Sequence, residues 1–259
     1  FIQVTKNYCS GGNKEAVTNI YIIARRGSLA EMLSNIITPI EGEIASVHNF
    51  IKKHLTIKSG YLGRYAHLEL SSINKNIRPV LVILSSRIFG LAREKSIALA
   101  GIIQFIYMAS TVHQGITEND SEYHRGNIDP RDGSQFPVLV GDYLYGKFFY
   151  FLSEAGILSL LDPLADIICQ IHEGGILRKK LTRQAASSKA LHEVVRKETS
   201  ELFGGCCSLS ALLTGAPAEY RQAMRNYGIN LGMAYGLLEQ GISREHVTTY
   251  LAKAQNSLS

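Results

Sequence analysis

Apolar residues recur along most of this chain at spacings of three and four positions, which is the period of an amphipathic helix. The pattern predicts helices over residues 28–55, 76–89, 94–113, 136–153, 162–182, 191–213, 218–239 and 247–257. Pro39 falls inside the first helix and is expected to kink or split it, whereas Pro79 falls near the start of the second. The alternation of apolar and polar residues that would indicate strands is almost absent. An all-α fold is therefore predicted.

The chain is expected to form a single domain that spans residues 1–259. This length allows one large domain or two small ones, and no internal repeat or low-complexity segment interrupts the helical pattern. Residues 1–27 are expected to be a loosely attached N-terminal segment. Residues 126–133 are rich in Asp, Asn, Pro and Gly, so they are predicted to form a loop.

One predicted helix is apolar enough to raise the question of a membrane span. Residues 96–112 form a run of seventeen residues without a charge, a length that is marginal for crossing a bilayer. Gln104, Ser110 and Thr111 interrupt the run, so we expect a helix that is buried in the middle of the protein. At the N-terminus no basic segment precedes an apolar run and a small-residue cleavage site, so no secretory signal is expected.

Composition and charge narrow the class of partner. Hydrophobic residues make up 46% of the chain and charged residues 19%, which is ordinary for a globular protein. The formal net charge of +5 suits an anionic ligand or an acidic membrane surface. Because no basic cluster interleaves with aromatic residues, no nucleic-acid partner is predicted. The four cysteines form no Cys-x-x-Cys pair and are expected to be free thiols. We therefore predict a cytoplasmic protein, with peripheral membrane contact as an open alternative.

The most specific pattern lies in residues 104–144. An apolar helix ends at His113, an Arg125-Gly126 pair follows, and an apolar run ends in Gly141-Asp142-Tyr143-Leu144. This order resembles the first signature region of the trans-isoprenyl diphosphate synthases, which are the polyprenyl synthetase family. In that family the helix ends in His followed by Asp-Asp-x-x-Asp, and Arg-Arg-Gly and Gly-Asp-Tyr-Leu come next. The resemblance extends in the same order over residues 74–236.

The resemblance implies a helical bundle around a central apolar cavity, and it implies prenyl transfer. In the family, an allylic diphosphate loses its diphosphate to give a carbocation, which isopentenyl diphosphate then attacks. Two aspartate-rich helix segments hold magnesium ions that bridge the oxygens of the leaving diphosphate. The first and fifth positions of such a segment share one helix face, so both carboxylates reach the same ions.

This chain lacks most of those aspartates. Their positions hold Gln114, Gly115 and Glu118 in the first segment, and Glu239, Gln240 and Ser243 in the second. Asp120 lies nearby but off the spacing. Because ligand charge is a main determinant of affinity for hard cations, no metal is expected for this chain alone, although the family uses Mg²⁺. The family has several helices after the second segment, so a segment near residues 240–246 is expected to be deleted or missing.

The cationic half of the site is better preserved. The family pattern Gly-Lys-x-x-Arg-Pro, which belongs to the isopentenyl diphosphate site, corresponds to residues 74–79, with Asn74 in place of glycine. A family histidine is replaced by Tyr107. The resemblance implies that the substrate diphosphate binds to Lys75, Arg78, Tyr107, His124 and Arg125. The alternative for each cation is a solvated or capping charge, and His113 is expected to be a packing histidine.

Further positions bear on charge and on product length. The family pair Lys-Thr corresponds to Glu198-Thr199, with Lys197 one place early. The family pattern Gly-Glu-x-x-Gln corresponds to residues 174–178, which end in Arg178. In the family, the residues four and five places before the first aspartate line the floor of the prenyl pocket. Here they are Ser110 and Ala109, and such small residues resemble the long-chain, polyprenyl members.

Three functions are compatible with these patterns. The loss of both metal segments favours a non-catalytic or regulatory subunit of a heteromeric long-chain trans-polyprenyl diphosphate synthase, because some members of the family pair an aspartate-bearing chain with one that has lost its aspartates. The partner would be such an aspartate-bearing homologue, or a second copy of this chain. The second function is an active, divergent prenyltransferase that uses Glu118, Asp120 and Glu239. The third is a prenyl-lipid-binding protein that holds a diphosphate head group without turnover.

Overall fold

The structure, a computed structural model, describes residues 34–58, 60–62, 68, 70–116, 135–181, 188–242 and 244–258. Some predicted features lie outside these residues. They are the N-terminal segment 1–27, the loop 126–133, and the site positions Glu118, Asp120, His124, Arg125 and Ser243.

Helices make up nearly all of the regular structure in the described chain. They are α1 (Glu41–Leu55), α2 (Ser72–Ile88), α3 (Arg93–Gln114), α4 (Gln135–Glu154), α5 (Leu161–Leu181), α6 (Ser188–Val195), α7 (Glu201–Leu213), α8 (Ala218–Glu239) and α9 (Arg244–Asn256). Short 3-10 turns cover Thr38–Ile40 and Leu158–Leu160, and a π-helical turn, Arg196–Ser200, joins α6 to α7. A two-residue antiparallel ladder pairs β1 (Thr56–Ile57) with β2 (Gly60–Tyr61). The predicted all-α fold class is confirmed.

Local chemistry explains how three predicted helices appear in the structure. The helix predicted over 28–55 is split at Pro39, as expected, and Pro39 lies in the 3-10 turn ahead of α1. The predicted start of α2 at residue 76 is wrong, because the Ser71 hydroxyl caps the helix by accepting a hydrogen bond from the Asn74 amide at 3.2 Å. The predicted helix over 191–213 contains the π turn in its middle.

The central helix of the fold is α3, which packs against α1, α2, α4, α5 and α7. Phe105 of α3 forms an aromatic cluster with Phe50 of α1 and Phe151 of α4, with ring centroids 4.6–6.1 Å apart. By length and composition α3 could cross a membrane, but 72% of its most apolar window is buried inside the fold. The prediction of a buried helix is therefore confirmed, and the apolar run gives no support to membrane contact.

The cysteines of the described chain are free thiols, as predicted; Cys9 lies outside it. Cys206 and Cys207 are buried on α7. Burial raises the pKa of the Cys206 thiol to about 12, so this thiol stays protonated and has low reactivity at neutral pH.

The crossing of α8 over the π turn and α7 is unusually close. Gly228, Gly232 and Gly236 lie one turn apart along the contact side of α8, and we call them the glycine seam. A Cβ atom added at Gly232 would lie 2.6 Å from the Cα atom of Ser200, and one added at Gly228 would collide with the carbonyl oxygen of Phe203. The seam is therefore required by helix packing, since no side chain fits between the two backbones.

Gly232→Ala should destabilise the fold, because the added methyl group meets the backbone of Ser200. Overpacking of this kind should lower the free energy of unfolding by about 1–3 kcal/mol. Gly146→Ala is the matched control, because Gly146 is also inside a helix but has nothing within 4 Å of an added Cβ atom. Alanine should raise the free energy of unfolding there by about 0.5–1 kcal/mol. Urea unfolding followed by circular dichroism measures both variants, and equal effects would contradict the close crossing.

Candidate functional site

A cavity of about 270 Å³ lies between α2, α3, α5, the π turn, α7 and the C-terminal end of α8. We call it the central cavity. Of the predicted site residues, it brings together Arg78, Tyr107, Ser110, Gln114, Glu239 and Gln240. Two residues that the sequence marked only as departures from the family pattern, Arg178 and Glu198, line the same cavity.

Arg78 is a buried cation in this cavity, with only 3% of its surface exposed. Its guanidinium carbon lies 3.4 Å from the centroid of the Tyr107 ring and 5.5 Å from that of Phe203, an arrangement that stabilises a desolvated cation. Its Nη1 donates to Asn74 Oδ1 at 3.4 Å, and its Nε has no hydrogen-bond partner. No carboxylate of the described chain forms an ion pair with it. Arg78 is therefore not a solvated charge, and its buried Nε donor is unused within the described chain.

Lys75 does not line the cavity that Arg78 lines. It is exposed near the start of α2 and borders a second cavity of about 330 Å³ between α1, α2 and α3, together with apolar residues such as Leu55 and Met108. Lys75 and Arg78, two of the four cations of the predicted diphosphate site, thus face different cavities. The other two predicted cationic positions, His124 and Arg125, lie outside the described residues.

An ion pair in the cavity wall joins α5 to the π turn. Arg178 Nε lies 2.8 Å from Glu198 Oε2 and 3.0 Å from Oε1, and Nη2 donates to Oε2 at 2.6 Å. The Glu198 side chain is 7% exposed. Arg178 Nη1 also donates to Gln240 Oε1 at 3.3 Å, which connects the end of α8 to α5. The sequence did not predict this ion pair. It showed Arg178 and Glu198 only as two separate differences from the family patterns, although their charges are opposite.

The π turn determines which side chains enter the cavity. Such turns change the direction in which successive side chains point, and they are frequent at functional sites. Glu198 and Thr199 face the central cavity. Lys197 points to α5, where its Nζ donates to Gln170 Oε1 at 2.6 Å and to Glu173 Oε2 at 2.8 Å. The wall therefore presents an acid to the cavity, and the neighbouring lysine supplies no charge there.

The described residues of the cavity do not fit a magnesium site. Gln114 offers an amide, and Gly115, which follows it as the C-cap of α3, offers no side chain. Glu239 accepts a hydrogen bond from the Tyr235 hydroxyl at 2.8 Å, and Glu198 is held in its ion pair. No group of three His, Cys, Asp or Glu in the described ranges could hold a metal ion. Magnesium requires a near-octahedral set of oxygen ligands, so these residues support no metal-assisted step.

The two residues predicted to line the prenyl pocket are both buried in α3. Ala109 is fully buried, and Ser110 reaches the central cavity. The Ser110 hydroxyl donates to the Ile106 carbonyl at 2.9 Å and lies 3.0 Å from the Tyr145 hydroxyl, which lies 2.6 Å from His172 Nε2. Ser110 thus contacts a half-buried tyrosine–histidine pair, and the role of both small residues in product length stays a prediction.

His113 connects the end of α3 to the start of α4. A Cβ atom added at Gly141 would collide with the His113 ring, and His113 Nε2 lies 3.4 Å from Asp142 Oδ1. These motif residues therefore touch one another and hold two helices together, which favours a packing role for His113.

The helical frame, the central cavity and the rearranged charges define an all-α protein of the isoprenoid-synthase type. Residues 62–239 match the family described as polyprenyl synthetase, and the chain belongs to this family.

Three known proteins illustrate the similarity. The octaprenyl diphosphate synthase of Escherichia coli is 25% identical over 199 residues, which cover 76% of this chain and 62% of that protein. Heptaprenyl diphosphate synthase component 2 of Geobacillus stearothermophilus is 28% identical over 205 residues, which cover 77% of this chain and 63% of that protein. The structure of a geranylgeranyl pyrophosphate synthetase from the archaeon Geoglobus acetivorans has a TM-score of 0.69 at 23% identity and covers 90% of this chain and 93% of its own. The chain spans less than two thirds of the length of the two sequence relatives.

The His172 imidazole should make stability depend on pH. Burial lowers the pKa of His172 below its ordinary value of 6.5, and the neighbouring His113 lowers it further. The unfolded chain therefore takes up this proton at a higher pH than the folded protein does. Consequently the free energy of unfolding should be fully retained above about pH 6.5 and should fall as the pH drops below it.

His172→Gln should reduce this pH dependence, as measured by urea unfolding at a series of pH values. Tyr145→Phe is the control, because it removes the hydrogen bond but leaves the imidazole half-buried, so the pH dependence should persist. An unchanged dependence in His172→Gln would mean that another group titrates.

Proposed function

We propose that this chain is a non-catalytic or regulatory subunit of a heteromeric long-chain trans-polyprenyl diphosphate synthase. The observation that carries the proposal is the Arg178–Glu198 ion pair, which lies in the central cavity of a chain that otherwise keeps the family frame. Among the described lining residues, the charges of Arg78 and Arg178 are cancelled by those of Glu198 and Glu239. A departing diphosphate needs concentrated positive charge, and the described lining, which is formally neutral and contains no metal-ligand group, does not supply it.

The names of two relatives support the parts of this proposal that concern product length and assembly. One relative is an octaprenyl diphosphate synthase, and another is component 2 of a heptaprenyl diphosphate synthase. The second name supports a component role, and we propose that this chain is one component of a synthase. That the other component carries the aspartates is proposed from the residues at Gln114 and Gly115, and not from the relative's name.

The exposed side of α4 offers a surface for such a partner. Leu139, Phe149 and Tyr150 are 65%, 55% and 54% exposed, and we call these three residues the α4 face. Leu139 and Tyr150 lie about three turns apart on one side of the helix. Apolar side chains that are exposed together mark sites of protein–protein contact, and aromatic residues are enriched in such contacts. We propose that an aspartate-bearing homologue packs on the α4 face and that its own aspartates hold the metal ions of the complex.

Co-expression with an aspartate-bearing homologue from the same organism should give a complex that co-purifies and incorporates labelled isopentenyl diphosphate. Leu139→Lys should weaken the complex about tenfold or more, because it places a charge in an apolar contact. Ile176→Lys is the matched control, since Ile176 on α5 is 57% exposed but lies off the α4 face. Titration of the labelled partner measures both affinities. A stable monomer or homodimer that captures no homologue would contradict the proposal, and equal weakening by both variants would remove the α4 face as the contact.

A prenyl-lipid-binding role without turnover is the second candidate, and the burial of Arg78 without a carboxylate partner in the described chain favours it. In this role Arg78 holds the diphosphate head group while the protein does no chemistry. Metal-independent binding of a prenyl diphosphate analogue to a chain that captures no homologue would favour this role over the subunit role. No binding at high micromolar analogue would remove it.

A further inference from the structure

The second cavity, between α1, α2 and α3, differs in character from the central cavity, and we call it the α1 cavity. Its inner surface is apolar and includes the buried side chains of Leu55, Leu68 and Met108. Its volume of about 330 Å³ gives room for about eleven non-hydrogen atoms, at the roughly 30 Å³ that each molecule occupies in liquid water. The α1 cavity can therefore hold a small molecule with an apolar body.

Positive charge lies at the mouth of the α1 cavity. Lys52 of α1 and Lys75 of α2 both border the cavity and are exposed. None of the described residues that line it is an Asp or a Glu, whereas the described lining of the central cavity carries as many glutamates as arginines. An apolar interior with a cationic rim fits an anion that has an apolar body.

One polar atom in the wall of the α1 cavity has no partner. Gln104 of α3 lines the cavity and is 1% exposed. Its Nε2 donates to the Asn74 carbonyl oxygen at 3.1 Å, and its Oε1 is buried without a hydrogen-bond partner. This bond determines the orientation of the amide, because a carbonyl oxygen accepts hydrogen bonds but cannot donate them. Oε1 is therefore the atom that is available to a ligand, and a donor that meets it removes the cost of a buried, unpaired acceptor.

We infer that the α1 cavity binds a small single-chain carboxylic acid that carries a hydroxyl group at the end remote from the carboxylate. The carboxylate lies at the mouth with Lys52 and Lys75, the chain lies against the apolar wall, and the hydroxyl donates to Gln104 Oε1. A carboxylate suits this mouth better than a diphosphate does, because the described lining contains no arginine, whose planar fork matches phosphate oxygens.

The α1 cavity is distinct from the isoprenoid site that the family patterns describe. Arg78 and Tyr107, which those patterns assign to the diphosphate, line the central cavity. Ile51 and Lys52, which α1 contributes to the wall, belong to none of the family motifs in this sequence. Of the described positions that the resemblance assigns to the diphosphate, Lys75 alone borders the α1 cavity. The inference therefore goes beyond the proposed function and does not rest on it.

The test is calorimetric titration of the isolated chain, at neutral pH and low ionic strength, with ω-hydroxyoctanoate. The original chain should bind this acid saturably at one site. The double variant Lys52→Gln with Lys75→Gln should bind it about tenfold more weakly, because two contacts with exposed charges are lost. Lys53→Gln is the matched control, since it removes the next exposed charge along α1, which does not line the cavity. Its affinity should equal that of the original chain.

A second titration, with nonanoate, tests the contact with Gln104. Nonanoate has the same number of non-hydrogen atoms as ω-hydroxyoctanoate and carries a methyl group in place of the hydroxyl. Gln104→Leu keeps the size of the side chain and removes the acceptor, so the preference for ω-hydroxyoctanoate over nonanoate should fall about fivefold. Both acids are measured on the same variant, so a change in its stability affects both affinities alike and leaves their ratio unchanged.

Three results would overturn the inference. The first is the absence of saturable binding, and the second is equal binding by the double lysine variant and the original chain. The third is displacement of ω-hydroxyoctanoate by isopentenyl diphosphate, because the α1 cavity would then be a site for an isoprenoid substrate. An unchanged ratio in Gln104→Leu would overturn the placement of the hydroxyl. Because the isolated chain is titrated, a failure of this site is distinguishable from a failure to capture a partner.

Discussion

The close crossing of α8 over the π turn is the constraint on which the candidate site depends. The glycine seam brings the backbone of α8 against that of Ser200 and Phe203. This contact sets the end of α8, with Glu239 and Gln240, beside the turn that carries Glu198. With a side chain in the seam, the two walls of the cavity would move apart. The glycines therefore hold together the two walls of the central cavity.

Within the central cavity, three of the four charged side chains have an ionic or a hydroxyl partner inside the chain. Arg178 and Glu198 satisfy each other across the cavity wall, and Glu239 is hydrogen-bonded to Tyr235. The Glu198 side chain is only 7% exposed and needs such a partner, because removal of the partner leaves an uncompensated buried charge. The described residues thus line a formally neutral cavity that contains the buried Arg78, whose Nε has no hydrogen-bond partner. Under the proposed function, this arrangement serves binding and assembly, and the partner carries out the expulsion of a diphosphate.

The sequence was sufficient for the fold and for part of the site. Helix period and the ordered motifs predicted the bundle, since both depend on local spacing along the chain. The absence of carboxylates at Gln114 and Gly115 could be predicted from the sequence alone, because the family motif fixes the positions at which the aspartates are expected. The pairing of Arg178 with Glu198 joins residues twenty positions apart on different elements, so no local pattern reveals it. The π turn was missed because a π turn has no distinct period in the sequence. The separation of Lys75 from Arg78 could not be predicted either, because it depends on the tertiary packing that places their side chains in different cavities.

The most direct test of the account is incorporation of labelled isopentenyl diphosphate by the purified chain alone, with magnesium and a farnesyl or geranylgeranyl diphosphate primer. Circular dichroism on the same sample would establish that it is folded and helical. The account predicts no turnover, because the described cavity lacks a metal-ligand set and its charges cancel. Clear turnover by the chain alone would contradict it, and would mean that carboxylates such as Glu118, Asp120 and Glu239 are enough to hold the metal.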